Sequence, residues 1–113
     1  FFDNLPEDVQ IRFLNFTVDT IDEAAEGMEL MVTQWANANV DALGELMNAG
    51  LEDKIIYETL LTNRNANWAE WVDQRMQQPG TIFLAVGAGH LAGESSLQAM
   101  LAKKGHVAKR IEY

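Results

Sequence analysis

Apolar residues recur along most of this chain at the three- and four-residue spacing of helices that turn one face to a core. Pro6, Glu7 and Asp8 predict the first helix start, because proline suits the first turn and carboxylates there face the positive end of the helix dipole; Asn4 stands where a cap belongs. Val9, Phe13, Phe16 and Val18 carry that helix to about Thr20. Ile21, Ala24, Ala25, Met28, Met31, Val32 and Trp35 keep the period in a second helix, with Asp22 as a capping residue and Glu23, Glu26 and Glu29 on the other side. Asn39 caps a third, which carries Val40, Leu43, Leu46 and Met47 to a stop at Gly50. Met28, Met31 and Trp35 read as core packing rather than a cofactor pocket. Gly27 reads as a close approach between helices or, more cheaply, as a tolerated interior glycine.

From Asp53 the residues Ile55, Ile56, Leu60 and Leu61 predict a fourth helix that meets the polar run Thr62-Asn63-Arg64-Asn65. Trp68, Trp71, Val72 and Met76 resume the helical spacing, and Pro79-Gly80 ends it. Thr81 to Val86 is short, apolar and bounded by glycines, as a buried strand should be, although periodicity alone leaves a buried helix open. The turn Gly87-Ala88-Gly89-His90 follows. Glu94 to Lys104 then reads as a helix with Leu97, Met100 and Leu101 on one face, and Val107 to Ile111 as a second strand.

The fold class expected from this order is α+β. A mainly helical layer over residues 1–78 precedes a strand, GAGH turn, helix and strand over 79–113, a βαβ unit with two parallel strands and a right-handed crossover. Two strands do not make a stable sheet, so the unit is expected to belong to a larger mixed α/β sheet, completed by an upstream segment or by a second copy. An exposed sheet edge predicts a homo-oligomer.

Composition narrows the function classes. A chain of 113 residues is one domain or part of one. Its 17 acidic against 8 basic residues leave a net charge of −9, which argues against nucleic acid or anionic lipid as partners. The absence of cysteine excludes disulfides, thiolate zinc sites and a cysteine nucleophile, and leaves the redox compartment open. No apolar run reaches the roughly 18 to 20 residues that span a bilayer, and no signal-peptide pattern is present. The opening Phe1-Phe2-Asp3, without an initiator methionine, predicts a fragment or a processed product.

The candidate chemistry centres on His90. A βα turn at the carboxyl end of a strand is where open α/β sheets bind ligands, and Gly87 and Gly89 permit backbone conformations and close approaches that a side chain would forbid. A neutral imidazole there serves as a transition-metal ligand or a general base; a histidine that merely holds the turn is the structural alternative. A phosphate cradle at Gly87-Ala88-Gly89 lacks the third glycine of a dinucleotide site and the lysine and hydroxyl of a P-loop. Glu94 suits a helix start, and His106 a surface turn. Arg64, between two asparagines, suits a carboxylate, a phosphate or a polarised carbonyl oxygen, and equally suits the capping of helix carbonyls. A serine nucleophile would have to be Ser95 or Ser96, without the glycine-flanked elbow such serines use.

Leu60-Leu61-Thr62-Asn63-Arg64-Asn65 with Trp68, Phe83-Leu84-Ala85-Val86-Gly87-Ala88-Gly89-His90-Leu91-Ala92-Gly93-Glu94, and Leu97, Leu101 and Gly105-His106-Val107 resemble the C-terminal half of the TraB/GumN family, related to the Tiki metalloproteases. Leu5-Pro6, Gln10, Trp35, Asn39 and Leu43 agree with the weaker frame. The resemblance implies a bacterial, metal-dependent hydrolase of peptidase type with two G-x-x-H motifs, of which His90 is the later histidine. His90 would be a metal ligand, Arg64 and His90 would share the catalytic pocket, and Gly87 and Gly89 would line the cofactor. The cofactor implied is a divalent transition metal, held only by the complete domain, because the early G-x-x-H motif is absent and the fragment alone would be inactive. A peptide or other small polar substrate and a periplasmic or extracytoplasmic location are also implied. A non-catalytic module that uses the same cleft to hold a ligand or protein is the rival expectation.

Overall fold

In the computed structural model, which describes residues 2–51 and 53–111, Pro6 does begin the first helix, α1 (Glu7–Asp19), without a side-chain cap; Asn4 lies in a short 3-10 turn instead. A 3-10 turn at Ile21–Glu23 takes in Asp22 and leads into α2 (Ala24–Ala36), which also lacks a side-chain cap. Asn39 caps α3 (Val40–Asn48) as its position predicts, its side chain accepting from the Ala42 amide at 3.4 Å.

Asp53 caps α4 (Lys54–Tyr57) by accepting from the amides of Ile55 and Ile56. The helix does not stop at the polar run. It passes through a π turn at Glu58–Thr62 into α5 (Asn63–Met76), since no proline or glycine interrupts it. A π turn widens the helix by one residue and rotates the turns beyond it. Leu61, Asn65, Ala69 and Val72 form one buried row that contains the amide of Asn65. The chain then runs without regular secondary structure from Thr81, makes a 3-10 turn at Ala88–Leu91, and enters α6 (Leu97–Lys103), capped by Ser96.

Three packing contacts organise these elements. Leu5, Val9 and Ile56 form a small core between α1 and α4, with Phe13, Leu51 and Leu60 around it. The second contact sets α3 against the turn Ala88–Leu91, and the third sets α5 against α6. The molecule is a slab of 49 × 37 × 19 Å with a radius of gyration of 16.1 Å. A compact chain of this size would measure about 13 Å. The thin shape leaves apolar side chains uncovered, above all on α2, where no residue is buried.

The described residues contain no strand, so the fold is all-α rather than α+β, and the βαβ unit over 79–113 does not form. Thr81–Val86 and Val107–Ile111 are not paired with one another by any backbone hydrogen bond among the described residues. Instead Ile82 and Val107 border one apolar hollow with Val72 and Met76 of α5 and Leu101 of α6, and Phe83 is 93% exposed. An apolar run becomes a strand only when another backbone takes up its amides and carbonyls, and none does so here. The sheet edge that predicted self-association is therefore not present among the described residues. Met28 and Trp35 are not core residues either, being 59% and 72% exposed. Among the described residues no helix is long and apolar enough to cross a membrane.

Candidate functional site

The turn that carries His90 is closed by its own backbone, the His90 amide donating to the Gly87 carbonyl at 3.0 Å. It is pressed against α3 at two glycines. A Cβ on Gly44 would lie 1.9 Å from the Cβ of Ala92, and one on Gly89 would lie 3.2 Å from Asn48 Oδ1. Asn48 Nδ2 also donates to the Gly89 carbonyl at 3.5 Å. Gly93, at φ +76°, then turns the chain towards α6 through a conformation that favours glycine.

Asn65 secures the turn from the other side. Its Nδ2 donates to the Ser95 carbonyl at 2.7 Å and to the His90 carbonyl at 3.5 Å, so the amide has one consistent orientation. Oδ1 then faces His90 Nδ1 at 2.8 Å. An amide oxygen only accepts, so Nδ1 carries the ring proton and Nε2 carries the lone pair. Burial, and then the positive charge of Arg64, push the imidazole below its ordinary pKa. His90 is thus a neutral ring with a defined tautomer, and among the described residues its Nε2 makes no hydrogen bond.

Aromatic and cationic groups complete the cluster. The Trp68 ring lies 4.8 Å from the His90 ring at a tilt of 58°, and the Arg64 guanidinium sits 4.9 Å from the centre of the Trp68 ring. One turn of α5 separates Arg64 from Trp68, and the arginine also donates to the Leu60 carbonyl at 3.4 Å. Of the uses expected of Arg64, the contact with a helix carbonyl is the one seen here, and the guanidinium also places a permanent charge near His90.

The remaining candidates fall into different places. Gly87 has φ −63° and ψ 149°, which any residue adopts, and a Cβ there would meet His90 Cδ2 at 3.9 Å. That is ordinary contact with the ring edge next to Nε2, so Gly87 is not required by space either. Gly89 is buried against α3 and serves that packing. Ser95 contributes its carbonyl, and Ser96 caps α6 by accepting from the Ala99 amide. Glu94 precedes α6 in a turn. His106 Nε2 lies 2.8 Å from Asp73 Oδ1, which ties the end of the chain to α5. Among the described residues no three of His, Cys, Asp and Glu gather as a metal would require.

Asn65 is the residue whose part in the site the sequence pattern alone does not assign. A signal for it exists: it shares the row of Leu61, Ala69 and Val72, and an amide on an apolar stripe must find partners when buried.

A model of the TraB/PrgY/gumN family matches residues 1–110. The chain belongs to that family. No curated protein and no solved structure matches it. For this TraB/PrgY/gumN member, the resemblance carried by Asn63-Arg64-Asn65 and by Gly87 to His90 thus coincides with one cluster in space. Two stretches 25 residues apart in the chain meet through the bond from Asn65 to His90.

Proposed function

We propose that this chain supplies part of a metal-dependent hydrolytic site of peptidase type, with His90 Nε2 as a metal ligand and Arg64 as the partner of an anionic or oxyanionic group. The observation that carries this reading is the Asn65–His90 pair at 2.8 Å. Metal-binding histidines typically hold their other ring nitrogen in a hydrogen bond that fixes tautomer and orientation, and Asn65 has that place here. A bound metal would polarise a carbonyl and lower the pKa of its water. The chain's own residues would orient the ligand ring, place a cation within reach of a developing negative charge, and shield the imidazole behind Trp68.

A catalytic metal takes about three protein ligands. In this reading the others come from outside the described residues, in line with a C-terminal half of the domain, a relation to the Tiki metalloproteases and a second G-x-x-H motif. The decisive measurement is calorimetric titration of the intact protein with Mn2+, Co2+ and Zn2+, paired with peptide hydrolysis. His90→Ala should abolish both binding and turnover, and Asn65→Ala should weaken metal binding about 10- to 100-fold. Equal metal affinity in wild type and His90→Ala would remove His90 from the ligand set.

One observation favours a second reading, a cleft that holds an anionic ligand without turning it over. The charge of Arg64 acts on His90 and opposes any cation placed there. On this reading the wild-type protein binds acetate or phosphate in an Arg64-dependent manner and hydrolyses nothing.

A further inference from the structure

The net charge of this chain is confined to its first half. Residues 1–50 hold ten carboxylates and one base, Arg12, whereas residues 51–113 hold seven of each. Around α2 the imbalance takes a definite pattern. Ile21, Ala25, Met28, Val32 and Trp35 follow one another at alternating spacings of four and three, the seam of a helix made to pair with another helix. Ile21, Met28, Val32 and Trp35 are 64%, 59%, 55% and 72% exposed. Gly27, Met31 and Gln34, on the neighbouring face, are half-buried and so mark the side that α2 turns inward.

One residue further on, Asp22, Glu26 and Glu29 repeat the same spacing, so a row of carboxylates runs beside the apolar seam. Among the described residues none of the three meets a cation. The seam ends at Trp35 on the rim of a hollow of about 260 Å³, which Val40, Leu43, Ala88 and Leu91 also line. Ala88 and Leu91 belong to the same short turn as His90.

We propose that the face running from the 3-10 turn at Ile21 along α2 to Trp35 docks a cationic amphipathic helix of a partner protein, its apolar side on the seam and its lysines or arginines on Asp22 of that turn and on Glu26 and Glu29 of α2. An exposed apolar stripe of this length on a soluble surface marks an interaction site. The charge row selects the occupant. A second copy would bring the same unpaired carboxylates, and an anionic bilayer would be repelled by them. A basic helix satisfies both rows at once. Trp35 is the natural anchor, since tryptophan at the end of an apolar seam contributes strongly to binding energy. Its position also brings the partner beside the His90 turn, and the docking surface stands independently of any metal at His90.

The test uses the intact protein and a synthetic peptide of about 18 residues, long enough to cover α2, with leucine on the seam positions and lysine elsewhere. Controls are the same peptide with glutamate for lysine and a shuffled leucine–lysine order. Calorimetry should show binding of the ordered cationic peptide, none of the glutamate peptide, and at least about tenfold weaker binding of the shuffled one. Asp22→Lys with Glu29→Lys should weaken the cationic peptide about tenfold and admit the glutamate peptide. Asp3→Lys with Glu7→Lys changes the net charge equally at the start of α1 and should alter affinity less than about twofold. Val32→Ser with Trp35→Ser, both at exposed positions, should abolish binding while leaving the helical circular dichroism unchanged. Equal weakening by the two charge reversals would overturn the proposal in favour of diffuse attraction. So would a dimer in sedimentation that the Val32→Ser, Trp35→Ser variant dissolves, or binding to phosphatidylserine vesicles that competes with the peptide.

Discussion

Asn65 holds His90 at two points, its Oδ1 2.8 Å from the ring Nδ1 and its Nδ2 3.5 Å from the carbonyl of the same residue. With Asn65 1% exposed, bulk water does not compete for either contact in the folded protein. Asn65→Ala strands the buried ring Nδ1–H of His90, at a cost of about 1–3 kcal/mol, and takes a donor from the half-buried Ser95 carbonyl. The expected result is a lower urea midpoint together with loss of the single tautomer, read from the imidazole nitrogen shifts. A variant with an unchanged midpoint and unchanged ring shifts would show that the clamp is not formed in solution.

The depressed pKa of His90 makes stability depend on pH in one direction. The unfolded chain takes up a proton near the ordinary imidazole value of about 6.5, whereas the folded ring resists it. The stabilisation from the neutral ring is therefore complete above that value and falls as the pH drops from about 6.5 towards the folded pKa. Arg64→Met removes the second cause of the depression and leaves the first, burial, in place. NMR titration should place the His90 pKa below that of an exposed histidine in wild type and higher in Arg64→Met. A titration identical in the two proteins would show that the arginine charge does not reach the ring.

Much of the helical framework is legible in the sequence because its signals are local. Pro6, Asn39 and the acidic residue Asp53 mark helix starts, and the structure begins helices there. The apolar run Thr81–Val86 misleads for a physical reason: strand formation depends on a second backbone, which a one-dimensional pattern does not contain. Trp35 and Met28 mislead similarly, since helical spacing locates a face without saying what covers it. The π turn at Glu58–Thr62 has no sequence signal that we can identify, yet it sits directly before the residues that meet His90. His90 and Arg64 are legible as chemistry, but their relation runs through Asn65 and Trp68 and needs the fold.

Asp53 joins α1 to α4, and acid should separate them. One carboxylate oxygen accepts from Arg12 Nε at 3.0 Å and from Nη2 at 2.8 Å, while the other caps α4. Arg12, and to a lesser extent the helix amides, hold this carboxyl below its usual pKa. Its contribution is present above the ordinary value of about 3.9 and is lost as the pH falls through the folded pKa. Arg12→Gln should flatten the acid limb of the stability curve in that window. Salt should reduce the difference, because the Arg12 side chain is exposed and Asp53 is only half-buried. A salt-independent difference would point to some other cause.

Gly44 and Gly27 offer the same substitution in two helices with opposite expected signs. Alanine in place of a helical glycine gains about 0.5–1 kcal/mol from backbone entropy wherever it fits. At Gly27 nothing lies within 4 Å of the added Cβ, so Gly27→Ala should raise the melting temperature. At Gly44 the added Cβ would lie 1.9 Å from that of Ala92, far inside contact distance. Neither atom is the end of a flexible side chain, so the turn carrying His90 has to move off α3. Overpacking of this kind costs about 1–3 kcal/mol, more than the entropy returns. Gly44→Ala should therefore lower the melting temperature and also shift the His90 ring resonances, whereas Gly27→Ala leaves them unchanged. A stabilised Gly44→Ala with wild-type His90 resonances would mean that α3 does not support the turn.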